Sequence, residues 1–287
     1  MISRSFITLT KIAAIACIAF SAKAAAFPRL TVLTPDKTET SRRFADGIST
    51  NFGEMFPVVD ADIADAAYRA QQPFSPFNMT TDESKRVGAA IGCDFFVVTK
   101  AVVQRRSASK KGDYFEAYAV IYLISSRTGR LVHWDLQSFE GPNSSDAEKK
   151  LMHAVHSIGT ELGHAAEAAA HVEPRIAPIA AMEEPPDEKS PLAKDFKAPI
   201  PFRRIKPEYT TQAAFYEVAA TVDIVVDLDA AGKILRTEIV RWAGFGLDES
   251  VEQAVRAMNW RPAERAGKFL PMRFLLRYNF KKIGKDQ

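Results

Sequence analysis

Residues 218–229 read VAATVDIVVDLD and residues 233–242 read KILRTEIVRW. Within residues 220–228 an apolar side chain stands at every second position, which is the period of a strand with one buried face. The intervening AAG at 230–232 follows an aspartate and ends in glycine, as hairpin turns that need a positive φ do. These residues predict an antiparallel hairpin.

Two more elements follow the hairpin. Residues 247–258 carry apolar side chains at helical spacing, and Asp248 and Glu249 favour the start of a helix. Residues 270–280 alternate again, so Met272, Phe274, Leu276, Tyr278 and Phe280 are expected to point inward, and Arg273, Arg277 and Lys281 outward. The C-terminal half is therefore predicted to be a three-stranded antiparallel sheet packed on a helix. Asp223, Asp227 and Asp229 are interpreted as solvent-facing residues that serve solubility.

The N-terminal half has a different order of elements. Strands are predicted at 30–34, 56–60, 94–103, 114–124 and 131–139, and helices at 39–55, 61–70, 81–91 and 146–171. The run DFFVVTKAVV at 94–103 is almost continuously apolar, which is typical of a central strand covered on both faces. Helices flanking a mixed sheet satisfy this order, so the whole chain is expected to be α+β.

The two halves are joined by a proline-rich stretch. Residues 173–201 contain seven prolines and six acidic side chains with little apolar periodicity, which indicates a semi-extended linker. The domain prediction is a leader at 1–26, an α/β domain at 27–172, the linker at 173–201 and a second domain at 202–287. Each domain is expected to bury a core of its own.

The first 26 residues resemble a secretory signal. Two cations precede an uncharged, mainly apolar run of 11 residues at 12–22, and small residues follow at 22–26. That run is shorter than the roughly 20 residues of a membrane span, so a cleaved leader is favoured over an anchor. Lipidation of Cys17 and membrane tethering are the alternatives. After cleavage Cys93 is the one thiol left, and it is expected to be a buried, unreactive side chain.

Charge and motifs exclude several classes of function. The chain has 38 basic and 35 acidic side chains, and the leader holds three of the basic ones, so the remainder is balanced at 35 of each. A balanced chain lacks the electrostatic signature of a nucleic-acid-binding protein. The sequence has no GxSxG elbow, no phosphate-binding glycine loop and no HExxH. The prediction is a non-enzymatic protein without cofactor, metal or small-molecule substrate.

Four histidines lie on one face of the helix at 146–171: His153, His156, His164 and His171. Only His153 and His156 are close enough to share an ion, because the others lie roughly 16 and 27 Å from His153 along the axis at about 1.5 Å per residue. A solvated surface is the favoured interpretation of this face. A contact that responds to pH is the alternative.

The C-terminal half resembles the C-terminal domain of TonB-family proteins. The resemblance covers nearly all of residues 201–282 and rests on an ordered series of motifs. They are KPEY at 206–209, the hairpin VDIVVDLDAAGK at 222–233, LD at 247–248, AV at 254–255, WRPA at 260–263 and RYNF at 277–280. The family commonly has Tyr-Pro where this chain has Tyr209 and Thr210.

The N-terminal half resembles CsgG-like proteins and the N-terminal part of TolB-like proteins. This likeness covers roughly residues 30–170. It rests on GCDFFVVTKAV at 92–102, which precedes a hairpin whose strands frame TGRLV at 128–132.

The TonB resemblance implies that an extended segment of another protein adds to the last strand. A three-stranded sheet has two edges with unpaired backbone groups, and strand addition completes them. The expected partner-binding residues form one run of the last strand: Arg273, Phe274, Leu275, Arg277, Tyr278, Asn279 and Phe280. The outward cations either select an acidic partner or deter self-association at the edge.

The function expected from these features is that of a periplasmic adaptor for a cell-envelope protein, with a link to outer-membrane transport. The TonB family usually begins with a membrane anchor, and none is expected here because a cleaved leader is favoured, so coupling to a proton-driven motor is not implied. The alternative is an envelope assembly protein that oligomerises through its CsgG-like domain, with a homodimer formed through the sheet edge of the other half.

Overall fold

The computed structural model describes residues 27–108, 112–173 and 182–281. Its first half contains a four-stranded mixed sheet in the order β1-β2-β3-β4. The strands are β1 (Leu30–Leu33), β2 (Phe95–Ala108), β3 (Gly112–Ser125) and β4 (Leu131–Gly141). Strand β1 runs parallel to β2, and the other neighbours are antiparallel, so the mixed sheet is confirmed.

Four helices accompany this sheet, at or near their expected positions. They are α1 (Glu39–Met55), α2 (Ala61–Gln71), α3 (Thr81–Ile91) and α4 (Ser144–Val172). Each begins at a residue whose side chain accepts a backbone N–H of the first turn, as Asp60 does at the start of α2. Thr80 and Glu83 form a reciprocal capping box at the start of α3. These local signals explain why the helix starts could be found from the sequence.

One face of the four-stranded sheet is covered by α1 and α4. Phe44, Ile48 and Phe52 of α1 are fully buried against the sheet, and Leu151 and Ile158 of α4 lie in the same core. The four histidines of α4 are exposed on its other side, as expected. No helix within 27–108, 112–173 and 182–281 is long and apolar enough to cross a membrane.

The second half contains a three-stranded antiparallel sheet in the order β12-β7-β8. Its strands are β7 (Ala220–Leu228), β8 (Ile234–Arg241) and β12 (Met272–Phe280), and helix α6 (Leu247–Arg256) packs on β7 and β8. The hairpin, its turn at Gly232 and the alternation of β12 are confirmed. The remaining elements are short: β5 (Phe196–Lys197), β6 (Ile200–Pro201), α5 (Thr211–Phe215), β9 (Trp260–Arg261), β10 (Ala263–Arg265) and β11 (Lys268–Leu270).

The other face of the first sheet is buried by α2 and α3 together with the second half of the chain. Tyr122 of β3 lies 5.3 Å from Trp242, measured between ring centroids, and Trp134 of β4 lies 5.0 Å from Phe245. Tyr122 and Trp242 are each about 1% exposed and belong to one core cluster that contains residues of both halves. The expectation of two separate cores is therefore wrong, although the position of the domain boundaries stays a prediction.

Polar contacts join the halves beside this aromatic core. The side chain of Asn78 donates to the carbonyls of Thr221 and Trp242 at 2.8 and 2.6 Å, and it accepts the N–H of Thr221 at 2.9 Å. The amide of Asn78 thus satisfies backbone groups at the ends of β7 and β8. Because buried backbone groups without partners are costly, this contact fixes the second sheet against the loop before α3.

Glu116 of β3 is a second polar link. It is 3% exposed, and its carboxylate accepts from Tyr216 and Ser138 at 2.7 Å and from Arg106 at 2.7 Å. Burial alone would raise the pKa of Glu116, but these hydrogen bonds, with a fourth from Gln104, outweigh burial and lower it. The ionised carboxylate therefore holds Tyr216, a residue of the second half, against the first sheet.

The strand expected at 56–60 is wrong, and two other stretches form short strands that the sequence did not indicate. Residues 56–60 form no strand, because Phe56 ends α1 and Pro57 has no N–H, and only Val58 bridges to Leu30. The sequence WRPA at 260–263 lies beyond the end of α6 and contributes β9 and the start of β10. Part of the proline-rich stretch pairs with the second half, since β5 adds to β10 and β6 adds to β9.

Candidate partner-binding strand edge

Strand β12 is an edge strand. It pairs with β7 over nine residues, from Met272 opposite Leu228 to Phe280 opposite Ala220. On its other side, the residues that the structure describes provide no neighbouring strand. The expected partner-binding residues 273–280 therefore lie where another chain can add a strand.

The direction of the backbone groups of β12 follows from one contact. The N–H of Arg273 donates to the carbonyl of Glu183 at 2.8 Å, so it points away from β7. Along an antiparallel strand, alternate residues direct both of their backbone groups to the same side. Leu275, Arg277 and Asn279 therefore present their N–H and C=O groups to the open side. The even-numbered residues use theirs to bond with β7.

The side chains of β12 divide in the expected way. Phe274 and Phe280 are each 8% exposed, and their rings lie 5.2 Å from Trp260 and 6.1 Å from Tyr209. Leu275, by contrast, is 52% exposed on the outer face. The strand is therefore anchored through its inward residues, while its outward residues remain accessible.

The outward arginines each have an internal partner. Arg273 donates to both oxygens of Asp227 at 2.8 Å, and Arg277 donates to both oxygens of Asp223 at 2.7 and 2.9 Å. Hydrogen bonding to these carboxylates raises the pKa of each arginine, so the guanidinium charges are neutralised on the sheet itself. Selection of an acidic partner by Arg273 and Arg277 is weakened by this pairing.

Asp223 and Asp227 are not the solvent-facing residues that the sequence indicated. They are 3% and 4% exposed, because guanidinium groups cover their carboxylates. Asp223 also accepts from Arg241 at 3.1 Å. Burial alone would raise the pKa of Asp223, but the hydrogen bonds and charges of Arg277 and Arg241 outweigh it and lower the pKa. The sequence pattern placed these residues on the correct face and missed their cross-strand partners.

A groove runs along the core side of the open edge. One part has a volume of about 480 Å³ between β12 and the segment 199–207, and its lining includes Ile205, Trp260 and Leu276. A second part of about 130 Å³ continues past Asn279 and Phe280. Lys206, Pro207 and Tyr278 line both parts, so the two cavities form one groove. The motif KPEY at 206–209 is recognisable in the sequence, but its place in this wall is not.

The other edges of the two main sheets are more protected than β12. Strand β1 is covered by the chain at 57–59, since the N–H of Val59 donates to Leu30 at 2.9 Å. On β4, Asp135 accepts the N–H of Leu136, and Lys150 donates to the carbonyl of Glu140. On β8, Arg241 bridges to Thr80. Contacts that occupy the backbone groups of an edge in this way deter strand addition.

A buried carboxylate supports the helix that lies under the sheet. Asp248, 9% exposed in the first turn of α6, accepts the N–H of Ala243 at 2.9 Å and that of Gly244 at 2.8 Å. Burial raises the pKa of Asp248 to about 7, although these two hydrogen bonds act in the opposite direction. The folded protein favours the protonated acid. The contribution of Asp248 to the free energy of unfolding is therefore complete below about pH 4, the ordinary pKa of an aspartate.

Asp248→Asn should therefore change how stability depends on pH. The stabilising contribution of Asp248 is lost as the pH rises from about 4 to about 7, at no more than about 1.4 kcal/mol per pH unit, whereas the neutral amide loses nothing. The free energy of unfolding of the variant, measured by urea denaturation relative to the original protein, should rise across this range and then level off. Asp62→Asn, at an exposed position in the first turn of α2, is the control and should show no such trend. Parallel curves for all three proteins would contradict the assignment.

Comparison with known proteins gives one family for this region. Residues 205–281 match the family model described as Gram-negative bacterial TonB protein C-terminal. The second half of the chain carries a TonB-family C-terminal domain. The matched segment contains β7, β8, α6 and β12, so the candidate edge is part of the TonB-type domain. The CsgG-like resemblance of the first half stays a prediction.

Solved structures resemble parts of the chain at low identity. The TonB C-terminal domain of Pseudomonas aeruginosa is 21% identical over 38% of this chain and 100% of its own, with a TM-score of 0.28. The hypothetical protein CT253 of Chlamydia trachomatis is 13% identical over 50% of this chain and 99% of its own, with a TM-score of 0.33. Lipoprotein GNA1162 of Neisseria meningitidis is 13% identical over 46% of this chain and 99% of its own, with a TM-score of 0.29. At these TM-scores the likenesses add nothing to the family assignment.

No curated protein matches the chain. The TonB-type domain is consistent with an envelope protein of the TonB-like type. The matched family is not a family of enzymes, which is consistent with the non-catalytic function expected from the sequence.

Proposed function

We propose that the protein is a non-catalytic envelope adaptor that binds an extended segment of a protein partner as a fourth strand along β12. The observation that carries the proposal is the row of outward backbone groups at Leu275, Arg277 and Asn279 beside a groove. Each of these residues offers one donor and one acceptor, so a partner strand gains up to six main-chain hydrogen bonds. At about 0.5–1.5 kcal/mol net for each bond, these supply a useful part of the affinity.

The groove gives the partner its side-chain preference. Successive side chains of an added strand point to opposite faces of the sheet, so every second one enters the groove. Its walls are mostly apolar and include Ile200, Ile205 and Trp260. The other side chains of the partner lie beside the exposed Leu275 and the paired guanidinium groups of Arg273 and Arg277. The preferred segment is therefore apolar at alternate positions.

The proposed setting is the periplasm, with a cleaved leader, and the proposed partner is an envelope protein such as one of the outer membrane. A link to transport across that membrane follows only by analogy with the TonB family. The test needs no assumption about the partner, because a photo-crosslinking residue at position 275 captures whatever lies beside β12 in intact cells. The same residue at position 235, exposed on the other edge strand, is the control.

Leu275→Pro is the decisive variant. The N–H of Leu275 lies outside the ladder with β7, so proline at this position removes one hydrogen bond to the partner and places its ring against the incoming strand. The hydrogen bonds between β12 and β7 are kept. Leu275→Ser removes the same side chain and keeps the N–H. We expect Leu275→Pro to weaken binding of a synthetic peptide of the crosslinked segment at least tenfold, and Leu275→Ser to weaken it less than threefold.

Matched melting temperatures would show that both variants fold, and calorimetry would measure the affinities. Equal affinity of the two variants would contradict strand addition. Capture of a second copy of the chain at position 275 would instead favour the homodimer formed through this edge.

A further inference from the structure

The acidic part of the proline-rich stretch occupies one end of the candidate edge. Glu183 accepts the N–H of Arg273, the first outward donor of β12, at 2.8 Å, and its carboxylate forms an ion pair with Arg265. Glu184 is near enough to raise the pKa of Arg273 through its charge, after the larger effect of Asp227. A backbone group that any added strand would need is thus already bonded within the chain.

The same stretch then becomes the wall of the groove. After Glu183 the chain pairs Phe196 and Lys197 with β10, and Ile200 and Pro201 with β9. From Pro199 to Pro207 it lines the groove on the side opposite β12. One continuous segment therefore occupies the open edge at Arg273 and, further along the chain, builds the side of the groove. The other end of the groove is lined by Asn279, Phe280 and Lys281.

We propose that residues 183–201 are a built-in stop that fixes the register and length of the bound segment. This inference rests on the proposed function and adds the kind of partner to it. The partner strand pairs only with residues 275–279, a distance of roughly 14 Å at about 3.4 Å per residue, so about five of its residues form the added strand. On the Arg273 side the partner chain ends or turns away from the sheet. The partner is therefore a short extended motif and not a long strand.

Amide hydrogen exchange of the full chain, resolved to single residues, tests the stop without any partner. The N–H of Arg273 should exchange about 100-fold more slowly than the outward N–H groups of Leu275, Arg277 and Asn279. Replacing residues 182–190 by a glycine-serine stretch of equal length should bring the exchange of Arg273 to within about threefold of Leu275. The matched control replaces only 186–190 and keeps Glu183, so Arg273 should stay protected. Equal exchange of Arg273 and Leu275 in the original chain would overturn the proposal.

Peptide length provides the second measurement. The crosslinked segment is synthesised with and without two further residues toward Arg273, and affinities are measured by calorimetry. With the original chain, the affinity of the longer peptide should be within twofold of that of the shorter one. With the 182–190 replacement, the longer peptide should bind about fivefold more tightly than the shorter one. An equal gain with both proteins would show that no stop exists and leave strand addition intact. If neither protein binds either peptide, the proposed function fails, and the exchange of Arg273 still decides whether its N–H is occupied.

Discussion

Trp242→Ala is expected to lower the free energy of unfolding by about 3–5 kcal/mol, the usual cost of removing a large buried aromatic side chain. Trp242 is 1% exposed, and its ring contacts Tyr122 of the first sheet. Because both halves contribute to this core, the variant should still unfold in one transition that is shifted as a whole. Urea denaturation followed by circular dichroism, together with hydrogen exchange of β2 and β7, measures both effects.

Phe74→Ala is the control for this substitution. Phe74 is 92% exposed, so its removal should change the free energy of unfolding by less than about 0.5 kcal/mol. Two separate transitions, with only the one from the second half shifted by Trp242→Ala, would contradict a shared core.

Asp223→Ala is expected to cost about 3 kcal/mol or more, since it leaves two guanidinium groups without their buried carboxylate. Arg241 is 19% exposed at its side chain and loses its hydrogen bond to Asp223. Arg277 loses both of its hydrogen bonds to Asp223, and the pairing between β7 and β12 loses this cross-strand support. Arg277→Ala should cost much less, because Asp223 keeps Arg241 and the side chain of Arg277 is 55% exposed.

The effect of Asp223 should also depend on pH. Since the pKa of Asp223 is lowered in the folded protein, its contribution is present above the ordinary pKa of about 3.9 and is lost as the pH falls below that value. The difference in stability between the original protein and Asp223→Ala should therefore be constant from pH 5 to 7 and shrink in more acidic solution. Urea denaturation at a series of pH values measures it. A difference that stays the same down to pH 2 would argue against an ionised, buried Asp223.

Much of the local structure could be predicted because its signals are local. The helix at 39–55 was predicted to the residue, and Asp60 caps α2 as expected. The hairpin was fixed by alternation over 220–228 and by the glycine at 232, which adopts a positive φ of 83°. In each case neighbouring residues contain the whole signal, and tertiary contacts only reinforce it.

The shared core could not be predicted in this way. The pattern at 94–103 indicated a strand covered on both faces, but it could not show that residues of the second half join the core on one side of the sheet. The aromatic contacts of Tyr216, Trp242 and Phe245 leave no periodicity, because they lie on loops and short turns. Strands of two or three residues such as β6 and β9 are also too short to produce a pattern.

At the candidate edge, too, the local pattern could be predicted and the contacts between distant residues could not. Alternation predicted correctly which side chains of 273–280 are inward, and it placed the arginines on the outer face. It did not reveal that Asp223 and Asp227 stand opposite Arg277 and Arg273, because cross-strand neighbours depend on the register of two distant segments. The part of the groove wall at 199–201 was missed because it belongs to a stretch that looks like a linker in composition.

The aromatic contact between the halves limits how the TonB-type domain can be transplanted. A fusion protein that borrowed only residues 202–287 would leave Tyr216, Trp242 and Phe245 without the rings of Tyr118, Tyr122 and Trp134 that cover them. Contiguous uncovered apolar surface promotes unwanted association. Polar replacements at these three positions would be needed before the domain could serve as a portable module.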